Sequence, residues 1–343
     1  MKIQKRNGLY QEYDKNKIKL AIQKAFNSLD QIISKTDLDK IIEEVEKDLA
    51  DQINVEMIQD KVEEALMKQG YLQVAKAYIL YRQKHSEQRD IINELIALIK
   101  DEGLIEILNT IQKDYPDKEY SLQLLLAKFK SFYKEEMSFQ EALTMLIKAA
   151  NELTSKEAPK WEMISTRFLS YDIYQRVDKK MKEYNITAFY DKIKFLTKQG
   201  YYGSYILEHY SQYEIEELSN YLEDERDKLF TYSGLELIMK RYLIQNHQRE
   251  ILEKPQEMFM LIAMHLALKE KDKVKWAREI YDILSTLKVT MATPTMSNAR
   301  KPFHQMSSCF IDTVDDSLAG IYKSVDNFAK VSKNGGGMGL YFG

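Results

Sequence analysis

Apolar residues recur at helical spacing through most of this chain. Ile18, Ile22, Ala25, Phe26 and Leu29 form a first stripe, with Asp14 or Asn16 as its N-cap. Leu38, Ile41, Ile42, Val45 and Leu49 form a second, starting near Thr36-Asp37. Ile58, Val62, Ala65 and Leu66 form a third, ended by Gly70 at the position where a left-handed residue closes a helix. A fourth runs from about Tyr71 into the eighties. Ahead of these, Lys2 to Lys5 and Leu9 to Tyr13 flank Asn7-Gly8, the dipeptide favoured in a two-residue hairpin turn. The pattern therefore predicts a hairpin followed by helices over residues 1–90.

Helical periodicity continues beyond that point. Ile91, Ile92, Leu95, Ile96, Leu98 and Ile99 extend an apolar helix, Tyr115-Pro116-Asp117 interrupts it, and residues 121–132 resume it. Ser138 with Glu141 has the spacing of a capping box. Met258, Phe259, Leu261, Ile262 and His265 read as core. No internal repeat or low-complexity tract interrupts the series.

The character changes after Met291. Residues 291–343 hold the only cysteine, two of the five prolines and six of the twelve glycines. Phe310 and Ile311 follow Cys309 as a short apolar run, which predicts a buried strand. Asp315 or Asp316 then caps a helix over 317–332, with Leu318, Ile321, Val325, Phe328 and Ala329 on one apolar face. Lys330 and Lys333 suit the negative end of its dipole. Gly335, Gly336, Gly337 and Gly339 let backbone approach a ligand, or simply turn the chain from helix to strand. A lone cysteine is by itself ordinarily a small buried hydrophobe.

Composition narrows the classes. The 343 residues are 44% hydrophobic and 30% charged, with a net charge of −3. That is enough apolar content for a core, and no global basic field points to nucleic acid. One cysteine excludes a disulfide framework and a cysteine-based zinc site. The N-terminus lacks the apolar stretch of a signal peptide, and no apolar run reaches membrane-spanning length. A reducing, cytoplasmic setting is expected. None of the five histidines lies three residues after a glutamate, so no Glu-x-x-His iron motif is present. The twenty-three tyrosines are read as amphipathic packing residues. Lys5, Arg6, Lys15, Lys17 and Lys19 cluster at the hairpin and first helix, which suits a polyphosphate or a solvated basic face.

Four separated motifs, T-P-T-M-S-N-A, Q-M-S-S-C-F, D-S-L and G-G-G-M-G-L, resemble the large, catalytic subunit of ribonucleotide reductase in order and spacing. K-R-N-G, D-K-N-K-I and A-Y-I-L-Y-R resemble the ATP-cone, a regulatory module that precedes many such subunits. The segment from K-A-A-N-E-L onward, with F-T-Y-S-G-L-E-L and P-Q-E-M-F-M, is similar to the family's helical domain. The resemblance implies a predominantly α-helical chain with a cone at 1–90 (β-hairpin plus helices) and a helical connector at 91–147. A reductase helical domain follows at 148–288. The first strands and helix of a ten-stranded α/β barrel occupy 289–343. S-S-C and P-Q-E-M-F-M favour class I over class II or III.

By that resemblance Cys309 is one thiol of a redox pair, and Thr293, Ser308 and Gly337 contact substrate. Asp316, Ser317 and Leu318 begin the specificity-effector site. ATP contacts map to Lys5, to Gln11, Glu12, Tyr13, Asp14, Lys15, Asn16 and Lys17, to Val55, and to Arg82 and Lys84. The family often has threonine just before the third helix, where this chain has Asn54-Val55. The implied activity is radical reduction of ribonucleoside diphosphates under ATP/dATP control. No metal and no cofactor bound by this chain is implied; ATP, dATP and other deoxynucleotides act as effectors, and the radical metallocofactor sits on a separate small subunit. The implied partners are the C-terminal part of the large subunit, expected beyond Gly343 with the remaining cysteines, the radical-bearing small subunit, and thioredoxin or glutaredoxin. A homodimer of the assembled large subunit is also implied, and neither nucleic acid nor membrane is. The alternative class is a non-catalytic, nucleotide-sensing regulatory protein.

Overall fold

The computed structural model describes residues 2–5, 10–47, 49 and 52–342. The Asn7-Gly8 turn and Arg6 lie outside the described residues. The chain divides into two compact units, residues 1–97 and 98–343.

In the first unit, strands β1 (Lys2–Gln4) and β2 (Tyr10–Glu12) pair antiparallel, with Ile3 opposite Gln11. A third strand, β3 (Gln52–Asn54), pairs parallel to β1, with Ile3 opposite Ile53, so β1 is central. Helices α1 (Lys15–Asn27), α2 (Lys35–Glu46), α3 (Val55–Lys68) and α4 (Leu72–Ile99) complete the unit. The starts of α1, α2 and α3 have local causes. The Asp14 carboxylate accepts from Asn16 N–H, Ser34 Oγ from Asp37 N–H, and Asn54 Oδ1 from Met57 N–H. Helix α3 ends in a Schellman turn: Tyr71 N–H reaches Leu66 C=O, Gly70 N–H reaches Met67 C=O, and Gly70 takes φ +83°. The stripes bury Ile22, Phe26, Leu38, Ile41, Ile42, Val45, Val62 and Leu66 in one core, and the Phe26 ring meets Tyr71 edge-on. Leu29 and Leu49 fall past the ends of their helices and do not join it. Helix α4 runs unbroken through the expected boundary near residue 90.

The second unit is helical until its last fifth. It comprises α5 (Leu104–Asp114), α6 (Leu122–Lys130), α7 (Phe139–Glu152), α8 (Trp161–Glu183), α9 (Phe189–Lys198), α10 (Tyr205–His209), α11 (Gln212–Ser219), α12 (Tyr232–Leu237), α13 (Pro255–Leu266), α14 (Lys273–Ser285) and α15 (Thr293–Asn298). The Ser138–Glu141 capping box forms as the spacing predicts. Helix α13 is buried on all sides, including Met258, Phe259, Leu261, Ile262 and His265, and packs against α14. A single π turn, Ile238–Tyr242, continues α12. The chain then forms β4 (Cys309–Val314), α16 (Leu318–Lys333) and β5 (Gly337–Phe342), a βαβ unit with parallel strands. Among the described residues no helix is long and apolar enough to cross a membrane.

Three expectations for this last part are corrected. Cys309 is exposed, because β4 pairs with β5 alone among the described strands and its outer positions meet solvent. The cap of α16 is Ser317, whose Oγ accepts from Gly320 N–H at 3.0 Å, in place of Asp315 or Asp316. The helix also turns the other way. Gly320 and Ser324 are buried, while Leu318, Ile321, Val325, Phe328 and Ala329 are exposed. Small residues allow the helix to sit close to the strands, and a Cβ at Gly320 would come within 2.6 Å of Asp315 Cβ.

One buried acid marks the helical core. Asp227, 1% exposed, accepts from Gln256 Nε2 at 2.6 Å and Ser170 Oγ at 3.3 Å. Burial pushes its carboxyl from 3.8 up to about 7, against the opposing effect of these hydrogen bonds. Between those values the unfolded chain is ionised and the native carboxyl protonated, so stability falls as pH rises from about 4 to about 7. Asp227→Asn is expected to flatten that slope, read as melting temperature against pH.

Candidate functional site

The predicted thiol site is assembled by the βαβ unit and the loop before it. Parallel register sets Cys309 opposite Gly337, and Gly337 N–H donates to Ser308 C=O at 2.7 Å. Ser308 Oγ stands 3.7 Å from Cys309 Sγ. Thr293 is the first residue of α15, and its Oγ1 lies 3.3 Å from Tyr242 Oη. The glycine turn comes up beside it: a Cβ on Gly335 would touch Thr293 Cγ2 and Pro294 Cγ at 3.8 Å. Gly335 adopts φ +81°, and a Cβ on Gly336 would lie 2.8 Å from the Phe310 ring, so neither position accommodates a side chain without strain. Asn298 ties the loops together, donating to Gln305 C=O at 2.9 Å and Asn334 C=O at 3.2 Å. The structure thus brings Thr293, Ser308, Cys309 and Gly337 to one end of the strand pair. Asp316, Ser317 and Leu318 lie past the other end of β4, roughly 17 Å away by strand rise.

Beneath this surface lies a charge pair that sequence reading missed. Arg300 and Glu253 are both fully buried. Arg300 Nε donates to both Glu253 oxygens at 2.9 Å, Nη1 to Met296 C=O at 2.7 Å, and Nη2 to Tyr242 C=O at 2.6 Å. Glu253 also accepts from Ile244 N–H at 2.7 Å and Tyr202 Oη at 2.8 Å. One guanidinium therefore fixes the end of α15 and the backbone of Tyr242, the residue that meets Thr293. The only sequence signal is that Arg300 directly follows the T-P-T-M-S-N-A motif. Nearby, the Tyr205, His265 and His304 rings cluster at 4.7–5.2 Å. Burial, then His304, lowers the His265 imidazole to about 4, so it is neutral at physiological pH.

The first unit holds a separate cleft of about 430 Å³. Lys5, Gln11, Asp14, Lys17 and Val55 line it, all expected ATP contacts, together with Ile3, Ile18, Ile58 and Arg89, which were not. Its walls combine apolar faces suited to a base with three cations and one carboxylate. Other expected contacts are engaged elsewhere. Tyr13 Oη donates to Glu46 at 3.0 Å, and Lys15 pairs with the same carboxylate at 2.7 Å. Arg82 pairs with Glu56, Asp60 and Glu63 of α3 at 2.7, 2.6 and 2.8 Å. Glu12, Asn16, Arg82 and Lys84 are not among the residues lining the cleft.

Comparison with known proteins gives these sites a context. Residues 1–87 match the ATP cone domain, residues 228–304 the ribonucleotide reductase all-alpha domain, and residues 307–343 the ribonucleotide reductase barrel domain. The chain is similar to ribonucleoside-diphosphate reductase subunit alpha of Treponema pallidum (strain Nichols), 47% identical over 356 residues, covering 100% of this chain and 42% of that protein. The corresponding subunit of Chlamydia muridarum is 32% identical over 371 residues, covering 98% of this chain and 35% of that protein. That of Helicobacter pylori (strain ATCC 700392 / 26695) is 31% identical over 255 residues, covering 72% and 32%. The chain thus spans between about a third and two fifths of these relatives' length.

Arg300→Ala leaves the Glu253 carboxylate buried without its counterion and is expected to destabilise the second unit by about 3–5 kcal/mol. Arg82→Ala is expected to cost the first unit about 2 kcal/mol, since three charge-assisted bonds are lost at a partly solvated site. Denaturant unfolding followed by circular dichroism reads both.

Proposed function

This chain belongs to the ribonucleotide reductase large-subunit family, with an ATP cone ahead of the reductase's all-alpha and barrel domains; from that premise we propose that it carries the nucleotide-sensing cleft and one side of the substrate site of a class I ribonucleoside-diphosphate reductase. The observation that carries this reading is the convergence of three separated motifs, with Cys309 in register with Gly337 and Thr293 beside the same glycine turn. In this reading residues 1–90 are the regulatory cone, 91–147 a connector, 148–288 the helical domain, and 289–343 the start of the barrel.

The residues divide the chemistry. Thr293, Ser308 and the backbone at Gly337 hold the ribonucleotide, and exposure of Cys309 keeps its thiol within reach of it. Cys309 and a second thiol give two electrons and two protons at the ribose 2′ carbon; the 2′-hydroxyl leaves as water and the two sulfurs finish as a disulfide. The radical that starts the reaction belongs to a metallocofactor on a separate small subunit. Thioredoxin or glutaredoxin reduces the disulfide. The remaining barrel strands come from the rest of the assembled large subunit, which acts as a dimer in the cytoplasm. Asp316, Ser317 and Leu318 face the specificity effector, and ATP or dATP occupies the cleft of the first unit.

Cys309→Ser in the assembled enzyme is expected to abolish turnover supported by thioredoxin while leaving ATP affinity within about twofold, because the thiol and the cleft belong to different units. Retained multiple turnover would refute the redox role. Calorimetry on the chain itself is expected to show saturable ATP binding, weakened by about 1–3 kcal/mol in Lys5→Ala.

A further inference from the structure

A further cavity, of about 330 Å³, lies in the helical part of the second unit and shares no residue with the thiol site. Helices α5 and α8 and the 3₁₀ turn Asp224–Leu229 wall it. Arg167, Ser170 and Tyr174 follow one another at three and four residues, so α8 presents them on one face. The Arg167 side chain is only 10% exposed. Its Nη2 pairs with Asp114 and its guanidinium lies over the Tyr115 ring, yet Nη1 is buried with no hydrogen-bond partner. Tyr174 Oη is also buried and makes no hydrogen bond of acceptable geometry, although Asp227 and Asp224 stand close enough to raise its hydroxyl further above its ordinary value, after burial. Neither aspartate forms an ion pair among the described residues. One end of the cavity thus offers an unanswered guanidinium nitrogen, and the other offers two carboxylates without a cation. The wall carries Glu106, Asp224, Glu225 and Asp227 against Arg167 and Lys228, and Lys228 is taken by Glu225. That balance disfavours a simple anion. A simple cation would leave Arg167 Nη1 unanswered.

We propose that this cavity is a binding site for a small aminocarboxylate, its ammonium held by Asp227, Asp224 and Tyr174 Oη and its carboxylate by Arg167 Nη1. Arg167 and Tyr174 stand two turns apart on α8, about 10 Å along the axis, so the ligand's two charges are separated by a short carbon chain. Charge-assisted bonds at both ends supply the affinity. Binding is linked to a proton. Burial holds the Asp227 carboxyl at about 7, and an ammonium beside it favours the ionised form, so the amine displaces that proton. The other titratable groups on the wall are Glu106 of α5, Arg167, Tyr171 and Tyr174 of α8, and Asp224, Glu225 and Lys228 of the turn. Both tyrosines are held above their ordinary value, first by burial, and stay protonated. Affinity therefore falls as pH falls through about 7.

The test is calorimetry on the full 343-residue chain with γ-aminobutyrate, and with butylamine and butyrate, which each lack one of its charges. Wild type, Asp227→Asn and Tyr174→Phe are compared, and circular dichroism confirms that each variant is folded. Wild type is expected to bind γ-aminobutyrate saturably, with a Kd that rises about tenfold from about pH 8 to about pH 6. Butylamine and butyrate are each expected to bind about tenfold more weakly or less. Asp227→Asn is expected to weaken binding about tenfold at the higher pH and to abolish the pH dependence. Tyr174→Phe is expected to weaken it about fivefold and to keep the pH dependence, a split that a general loosening of the helices would not produce. No saturable binding by wild type up to about 50 mM overturns the proposal. So does an Asp227→Asn Kd within about twofold of wild type, or butyrate binding as tightly as γ-aminobutyrate, which would make Arg167 the whole of an anion site.

Discussion

The buried pair between Arg300 and Glu253 is the constraint on which the thiol site depends. Taking two charges fully out of water is costly, and only dense hydrogen bonding offsets the cost. Here every strong donor direction of Arg300 is used, on Glu253, Met296 and Tyr242, and Glu253 accepts further from Ile244 and Tyr202. The pair joins segments far apart in the sequence: the chain before α13, the π turn and the end of α15. Loops ahead of a strand have few local reasons to hold one shape. A buried charge with a single satisfactory arrangement supplies one.

How much of this was legible differs by element. The four helices of the first unit could be read because their stripes, the Asp14 cap of the first and the closing Gly70 of the third are all local signals. Strand β3 could not. It has three residues, its only buried apolar side chain is Ile53, and its partner is fifty positions away. Helix α16 was legible in extent and misread in orientation. Periodicity assigns apolar residues to the inside, whereas here the close contact is made by Gly320 and Ser324, whose smallness is the property that matters. The convergence of Thr293, Cys309 and Gly337 was reachable only through motif resemblance, since nothing in spacing alone sets residue 309 against residue 337. Arginines were the least readable. Arg300 at full burial, Arg82 caged by carboxylates and Arg89 lining a cleft have the same appearance in a sequence.

The two candidate sites also differ in what holds them. The thiol site is fixed by backbone register and by glycines that admit close approach, so its geometry is a property of main chain. The cleft of the first unit is lined by side chains from β1, β2, α1, α3 and α4 and the connections between them. Its shape therefore follows the packing of the helices.

The order of strands in the first unit has a consequence for how it is made. The central strand is β1, and it completes its pairing only with β3, Lys2 opposite Gln52. During synthesis at about 5–20 residues per second, residues 2–4 wait roughly 3–10 s for those partners to exist. The hairpin with β2 needs only microseconds once both strands are available. For those seconds the nascent sheet is two strands wide with one side of β1 open, while α1 and α2 are already being made. Strand β3 is thus made after α1 and α2, and the cleft, which needs Ile3, Val55 and Arg89 together, is among the last features of the unit to appear.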